Sequence, residues 1–189
     1  MNEVQLIRQQ LALERQHVGA VAKACAELGT ADAAGSPVEA LGQFRRACVD
    51  YLACVLAWFE ERDQRLAELL QARSPIADPT RHALEEALAR RGRSRETLAK
   101  LEAACAASAA PAGSARQQAW REFGDYFDSA WSARRAAIDA LLASHSRVSD
   151  WRTLGGIDAD SILEERRRYA LVQVQAPPGT ALGTPANRA

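Results

Sequence analysis

Apolar residues recur along most of this chain at intervals of three and four, the spacing of one helix face, with polar residues between them. Val4, Ile7, Leu11, Val18, Val21, Cys25 and Leu28 form one such stripe and predict a helix over about 3–28. Leu41, Phe44, Cys48, Leu52, Val55, Phe59, Leu66 and Leu69 predict a second over about 37–72. A weaker stripe, Leu84, Leu88, Leu98, Leu101 and Cys105, predicts a third over about 79–106, with Gly92 as the place where it would bend. Trp120, Phe123, Phe127, Ala130, Ile138, Leu141 and Leu142 predict a fourth over about 115–145.

Helix breakers fall between these stripes, in "GTADAAGSP" (29–37), "RSPIADP" (73–79) and "ASAAPAGSA" (107–115). Start signals agree with them. Ser36-Pro37-Val38-Glu39 supplies a cap, a proline at the first helical position and a capping-box glutamate; Asp78-Pro79 opens the third helix; Ser114 with Gln117 repeats the box. Short connections between long amphipathic helices make an all-α, up-down-up-down four-helix bundle the simplest fold, over residues 1–146. Residues 147–173 then form a connector and a short extra C-terminal helix, "ADSILEERRRYALV", laid on the bundle by Ile162, Leu163 and Tyr169. Residues 174–189, "VQAPPGTALGTPANRA", offer nothing to bury and are expected to be a disordered tail.

Composition narrows the function classes. Twenty-four basic residues balance twenty-four acidic ones, so no overall field draws the chain to nucleic acid or to an anionic membrane. No stretch approaches the roughly 20 apolar residues of a spanning helix, and charges interrupt "MNEVQLIRQQLALERQ". A cytoplasmic location is expected. Cys25, Cys48, Cys54 and Cys105 show neither a C-x-x-C pair nor zinc spacing, and each falls on or near an apolar face, as small buried hydrophobes do.

The most informative stretch is "YLACVLAWFEE", residues 51–61. With the order and spacing of the four helices, it resembles the hemerythrin-like, or HHE, cation-binding family, whose second and fourth helices read approximately Tyr-Leu-x-x-His-x-x-x-Glu-Glu-Glu. Tyr51, Leu52, Leu56, Trp58, Glu60 and Glu61 match that frame. The resemblance implies a bundle in which the His and the first Glu, four residues apart on one face, point at a di-iron centre. It also implies where the ligands would be. On the second helix the slots hold Val55 and Phe59; in "YFDSAWSARRAAIDALL" they hold Ala130 and Arg134; in "HVGAVAKACAEL" the His slot holds Val18, with His17 one position off. In "RSRETLAKLEAA" Ser94 or Arg95 stands where a His would be. Hydrocarbon gives iron no electron pair, so neither metal nor cofactor is expected.

Other polar residues add less. Glu14, Arg62 and Arg134 lie on or near inner faces, and Glu14 with Arg134 is the expected core ion pair. His17, His82 and His145 do not converge by spacing. The basic runs "ARRGRSRETLAK" (89–100) and "EERRRYA" (164–170) carry neighbouring acids and one aromatic, which suits a solvated face or a partner contact better than nucleic acid. Trp58, Trp120, Trp131 and Trp151 are core or lid residues, an exposed one being a candidate partner contact. No P-loop, G-x-G-x-x-G, G-x-S-x-G or H-E-x-x-H occurs, and no catalytic residue is assigned. The expected function is non-catalytic: an interaction or regulatory module that engages an unidentified protein or a second copy of itself. The alternative is a sensor or ligand-binding protein that holds a metal or small molecule in the bundle core.

Overall fold

Each predicted stripe begins in a helix, and the part of the fourth beyond Tyr126 lies outside the described residues. The computed structural model describes residues 3–30, 38–72, 78–106, 114–126, 149–151 and 159–182. Five helices lie within them: α1 (Glu3–Thr30), α2 (Val38–Gln71), α3 (Asp78–Ala106), α4 (Ser114–Tyr126) and α5 (Ala159–Gln175). The protein is all-helical, with no strand among the described residues. Helix α3 runs through Gly92 without a break. None of the described helices is long and apolar enough to cross a membrane.

The stripes meet in one core. Val18 and Val21 of α1, Phe44, Leu52, Val55 and Phe59 of α2, and Trp120 and Phe123 of α4 are buried in it. Burying side chains of this size contributes roughly 1.5–3 kcal/mol each. Helix α3 is tied in by Leu101 and, at its edge, Leu98. Helix α1 packs on α2 and α4, and α3 packs on the same two, while α5 lies chiefly on α2 and touches α1. Near the start of α1, the Arg8 guanidinium sits 4.7 Å from the centre of the Trp151 ring, which holds residues 149–151 to the fold.

Two expectations about the C-terminal region change. Leu163 does not face the core: it is exposed, and the side of α5 that is buried is Glu165, Tyr169 and Val172, at i, i+4 and i+7. The chain beyond 174 does have something to bury. Helix α5 continues to Gln175 and stops before Pro177 and Pro178, whose rings cannot continue it. Pro177 O then accepts from Thr180 N at 3.1 Å, closing a turn with Pro178 and Gly179 at its centre, and Gly179 has φ 85°. That positive φ is the third position of a type II turn, which glycine adopts without a Cβ clash. The turn brings Leu182 back under Tyr169, where Leu182 is buried and its carbonyl accepts the Tyr169 hydroxyl at 2.9 Å.

Candidate functional site

The slots of the metal-binding frame come first. Val18, Val55 and Phe59 are each at most 1% exposed, packed against one another's helices in the core. They present only carbon. Ala130, Arg134 and Trp131 lie outside the described residues, as does His145. His82 is on an exposed face of α3.

Beside this hydrocarbon layer, helices α1 and α2 carry polar side chains that find partners on other helices. Towards one end, Glu14 is almost wholly buried and takes both arms of Arg62, Nη1 at 2.6 Å and Nη2 at 3.4 Å. Gln10 adds a third donor at 3.3 Å. The Arg62 guanidinium also lies 5.6 Å from the centre of the Phe59 ring, so its stem and charge both use the interior. Glu14 therefore has Arg62 as its partner among the described residues, where the sequence pointed to Arg134.

One turn further along α1, α5 delivers a carboxylate into the seam between α1 and α2. Glu165 is fully buried. Its Oε1 accepts the Tyr51 hydroxyl at 2.8 Å and lies 2.8 Å from Nδ1 of His17. The Tyr51 hydroxyl donates to this oxygen, and His17 donates to the same one in the tautomer that carries its proton on Nδ1. Its Oε2 has no partner among the described residues. The His17 ring stacks on Tyr169, centroids 3.7 Å apart and planes within 9°, and Tyr51 leans on the same Tyr169 ring at 5.7 Å. Burial first, then the charge of Glu165, pushes the Tyr51 phenol far above the ordinary tyrosine range, and the same two causes raise Tyr169. Both phenols thus keep their protons more firmly than a free tyrosine does.

A third cross-helix pair joins α2 to α3. Glu60, which falls off the main apolar stripe of α2, is nonetheless buried, and accepts from Nε of Arg95 at 2.6 Å. The reason is that α2 has a neighbour on that side too, so a residue off the main stripe is still covered. Beside it Ser94, buried, shares a hydrogen bond with the Tyr126 hydroxyl of α4. A cavity of about 200 Å³ opens there between Ala57 and Leu98. The cysteines behave as hydrophobes: Cys25 and Cys48 are buried, no disulfide joins them to Cys54, and burial, with Glu164 adding to it, raises the Cys54 thiol despite Arg168 nearby.

Chemically, the His17–Glu165–Tyr51 group orients an imidazole through a carboxylate, but among the described residues no group of three or more His, Cys, Asp and Glu side chains converges to hold a metal ion. Sequence reasoning placed His17 and Tyr51 separately and missed Glu165, which was hidden inside the charge run "EERRRYA". A signal was present: Tyr169 and Val172 are apolar positions whose helical face, extended one turn back, lands on Glu165. Comparison with protein-family models, with curated proteins and with solved structures found no match.

Proposed function

We propose that this chain is a metal-free helical module, hemerythrin-like in shape, that acts by binding another protein and not by catalysis. The bundle shape is supported by the pairing of helices: α1 and α3 each touch α2 and α4, the neighbour pattern of four helices wound up and down in turn. A di-iron centre requires several imidazole and carboxylate donors aimed at one point, and Val18, Val55 and Phe59 do not fit that requirement. The observation that carries the proposal is the state of three buried glutamates. Glu14, Glu60 and Glu165 are each engaged by a basic or hydroxyl group from another helix, Arg62, Arg95, and His17 with Tyr51. Side chains committed in this way hold helices in register.

Metal analysis of the purified full chain, alongside its visible absorption spectrum, tests the reading. The expected result is sub-stoichiometric iron and no charge-transfer band. Two irons per chain with such a band would overturn it.

A further inference from the structure

Helices α2 and α3 do not fill the seam between them. Ala53, Leu56, Ala57 and Glu60 lie on one face of α2, at i, i+3, i+4 and i+7, and meet Ser94, Arg95 and Leu98 of α3. Two of the four α2 positions are alanines one turn apart, whose methyl groups reach only a short way towards the facing helix. A cavity of about 200 Å³ results. Its exposed lining residues, Ala57 and Arg95, mark the mouth, and its buried ones, Leu56, Glu60 and Ser94, form the floor. Close-packed interiors hold few voids larger than a water molecule, so a space of this size is a departure from ordinary helix packing. It is separate from the interior closed by Val18, Val55 and Phe59, none of which lines it.

Size and chemistry together limit what the cavity takes. An apolar cavity of about 150 Å³ holds one benzene molecule. A volume of about 200 Å³ therefore has room for a single six-membered ring with one small substituent, and none for a helix. The walls are alkyl, from Ala53, Leu56, Ala57 and Leu98. The two ionic groups of the lining satisfy each other, Arg95 Nε donating to Oε2 of the buried Glu60 at 2.6 Å. A charged ligand would have to compete with that pair and give up its own hydration to do so. Ser94 differs. It is 2% exposed and lines the cavity, and its hydroxyl shares one hydrogen bond, with the Tyr126 hydroxyl. A hydroxyl has one proton and two lone pairs, so a single bond leaves it capacity for another partner. Ser94 makes no second bond among the described residues.

We propose that the α2–α3 cavity binds a small uncharged molecule with a ring-sized apolar body and one hydroxyl or carbonyl group, phenol being the simplest case. The apolar body lies on Ala53, Leu56, Ala57 and Leu98, and the polar group meets the Ser94 hydroxyl. The Glu60–Arg95 pair ties α2 to α3 beside the cavity and contributes no free charge to it. The proposal goes beyond the reading of the chain as an interaction module and does not depend on it.

The test titrates the full chain with phenol, toluene, benzoate and benzylamine, which share a ring and differ in polarity and charge. Binding is read from shifts of isotope-labelled alanine and leucine methyl resonances. Phenol is expected to move the methyls of Ala53, Leu56, Ala57 and Leu98 and to bind more tightly than toluene. It should exceed benzoate and benzylamine by at least about tenfold, with an affinity that salt leaves unchanged. Ser94→Ala should weaken phenol about fivefold and leave toluene as it was, a split that a general loosening of the seam would not give. Ala57→Phe, at an exposed position, should fill the mouth and abolish binding of both. Circular dichroism checks that each variant folds; if Ser94→Ala does not, the ligand series and Ala57→Phe still decide. Toluene tighter than phenol, a charged ligand as tight as phenol, no binding of either neutral ligand, or affinity untouched by Ala57→Phe would overturn the proposal. Iron analysis decides the metal-free reading separately, so either result stands or falls without the other.

Discussion

One turn of helix α2 separates two contacts built on opposite chemistry. At Val55 and Phe59 the helix meets the interior through hydrocarbon alone. At Tyr51 it meets α5 through a fully buried carboxylate that also holds His17 of α1. The first contact is non-directional: its strength follows the area removed from water, and a small shift of one helix changes it little. The second is specific to one register. A carboxylate displaced by a residue along α5 would leave the Tyr51 hydroxyl and the His17 ring without their acceptor, each orphan costing about 1–3 kcal/mol. The hydrocarbon layer thus supplies cohesion, and the polar layer selects where an extra helix sits.

The largest expected effect comes from giving the hydrocarbon layer the donors of a metal site. Val55→His with Phe59→Glu should destabilise the fold by more than about 3 kcal/mol, since it removes a buried ring and buries groups with no partner waiting. Urea-induced unfolding followed by circular dichroism measures this. Tight iron binding by the variant would mean that the other slots have been misassigned.

Next comes the polar layer. Glu165→Leu should cost about 3 kcal/mol because it strands two donors in an apolar place. Replacing the whole group at once, with His17→Leu, Tyr51→Phe and Glu165→Leu, should recover most of that loss, since hydrocarbon of similar volume often serves as well as a buried ion pair. The same unfolding curves decide the matter. A triple variant weaker than Glu165→Leu alone would show that the network contributes net stability and would erase the contrast drawn between the layers.

A smaller effect sharpens the assignment of the neighbouring Glu14–Arg62 pair. Arg62→Met should cost about 1–3 kcal/mol, and a double-mutant cycle with Glu14→Gln should show coupling between the two. Arg134→Met in the same cycle should show less. If Arg134 couples more strongly, the pairing expected from the sequence is the correct one.

The smallest effect is electrostatic and solvent-exposed. Glu164, held at a pKa of about 2 by Arg167 and Arg168, is more acidic folded than its ordinary value of 4.5. A lowered folded pKa stabilises the native state at pH above that ordinary value and loses the contribution as pH falls towards 2. Because the group is on the surface, water and salt screen it, so the effect will be slight. Melting temperature measured from pH 5 to pH 2 should fall marginally less in Glu164→Gln than in the parent chain; a larger fall in the variant would refute the assignment.

The contrast between the layers also explains how much was readable from the chain alone. The starts of the described helices, and the ends of the second and third, were legible to within a residue or two, because caps such as Ser114 act on the adjacent backbone, while the expected end of the fourth helix near 145 lies outside the described residues. The hydrocarbon interior was legible for the same reason: Val18, Val55 and Phe59 fall on stripes whose period is that of the helix itself. The turn around Gly179 was legible in "PPGT" and was overlooked, since Leu182 beyond it gives no periodic signal.

Periodicity, caps and composition by themselves determined an all-helical chain, its apolar faces and the absence of donors at Val18, Val55 and Phe59. They did not determine that Glu14 takes Arg62, that Glu60 takes Arg95, or that Glu165 reaches His17 across 148 residues of chain. The period of a stripe reports which way a side chain points from its own helix axis. It carries no information on how that axis is placed against another, and a hydrogen bond of 2.8 Å exists only once both axes are fixed. The packing of α5 on α2 and α1 supplied that placement, and with it the buried acid and its partners.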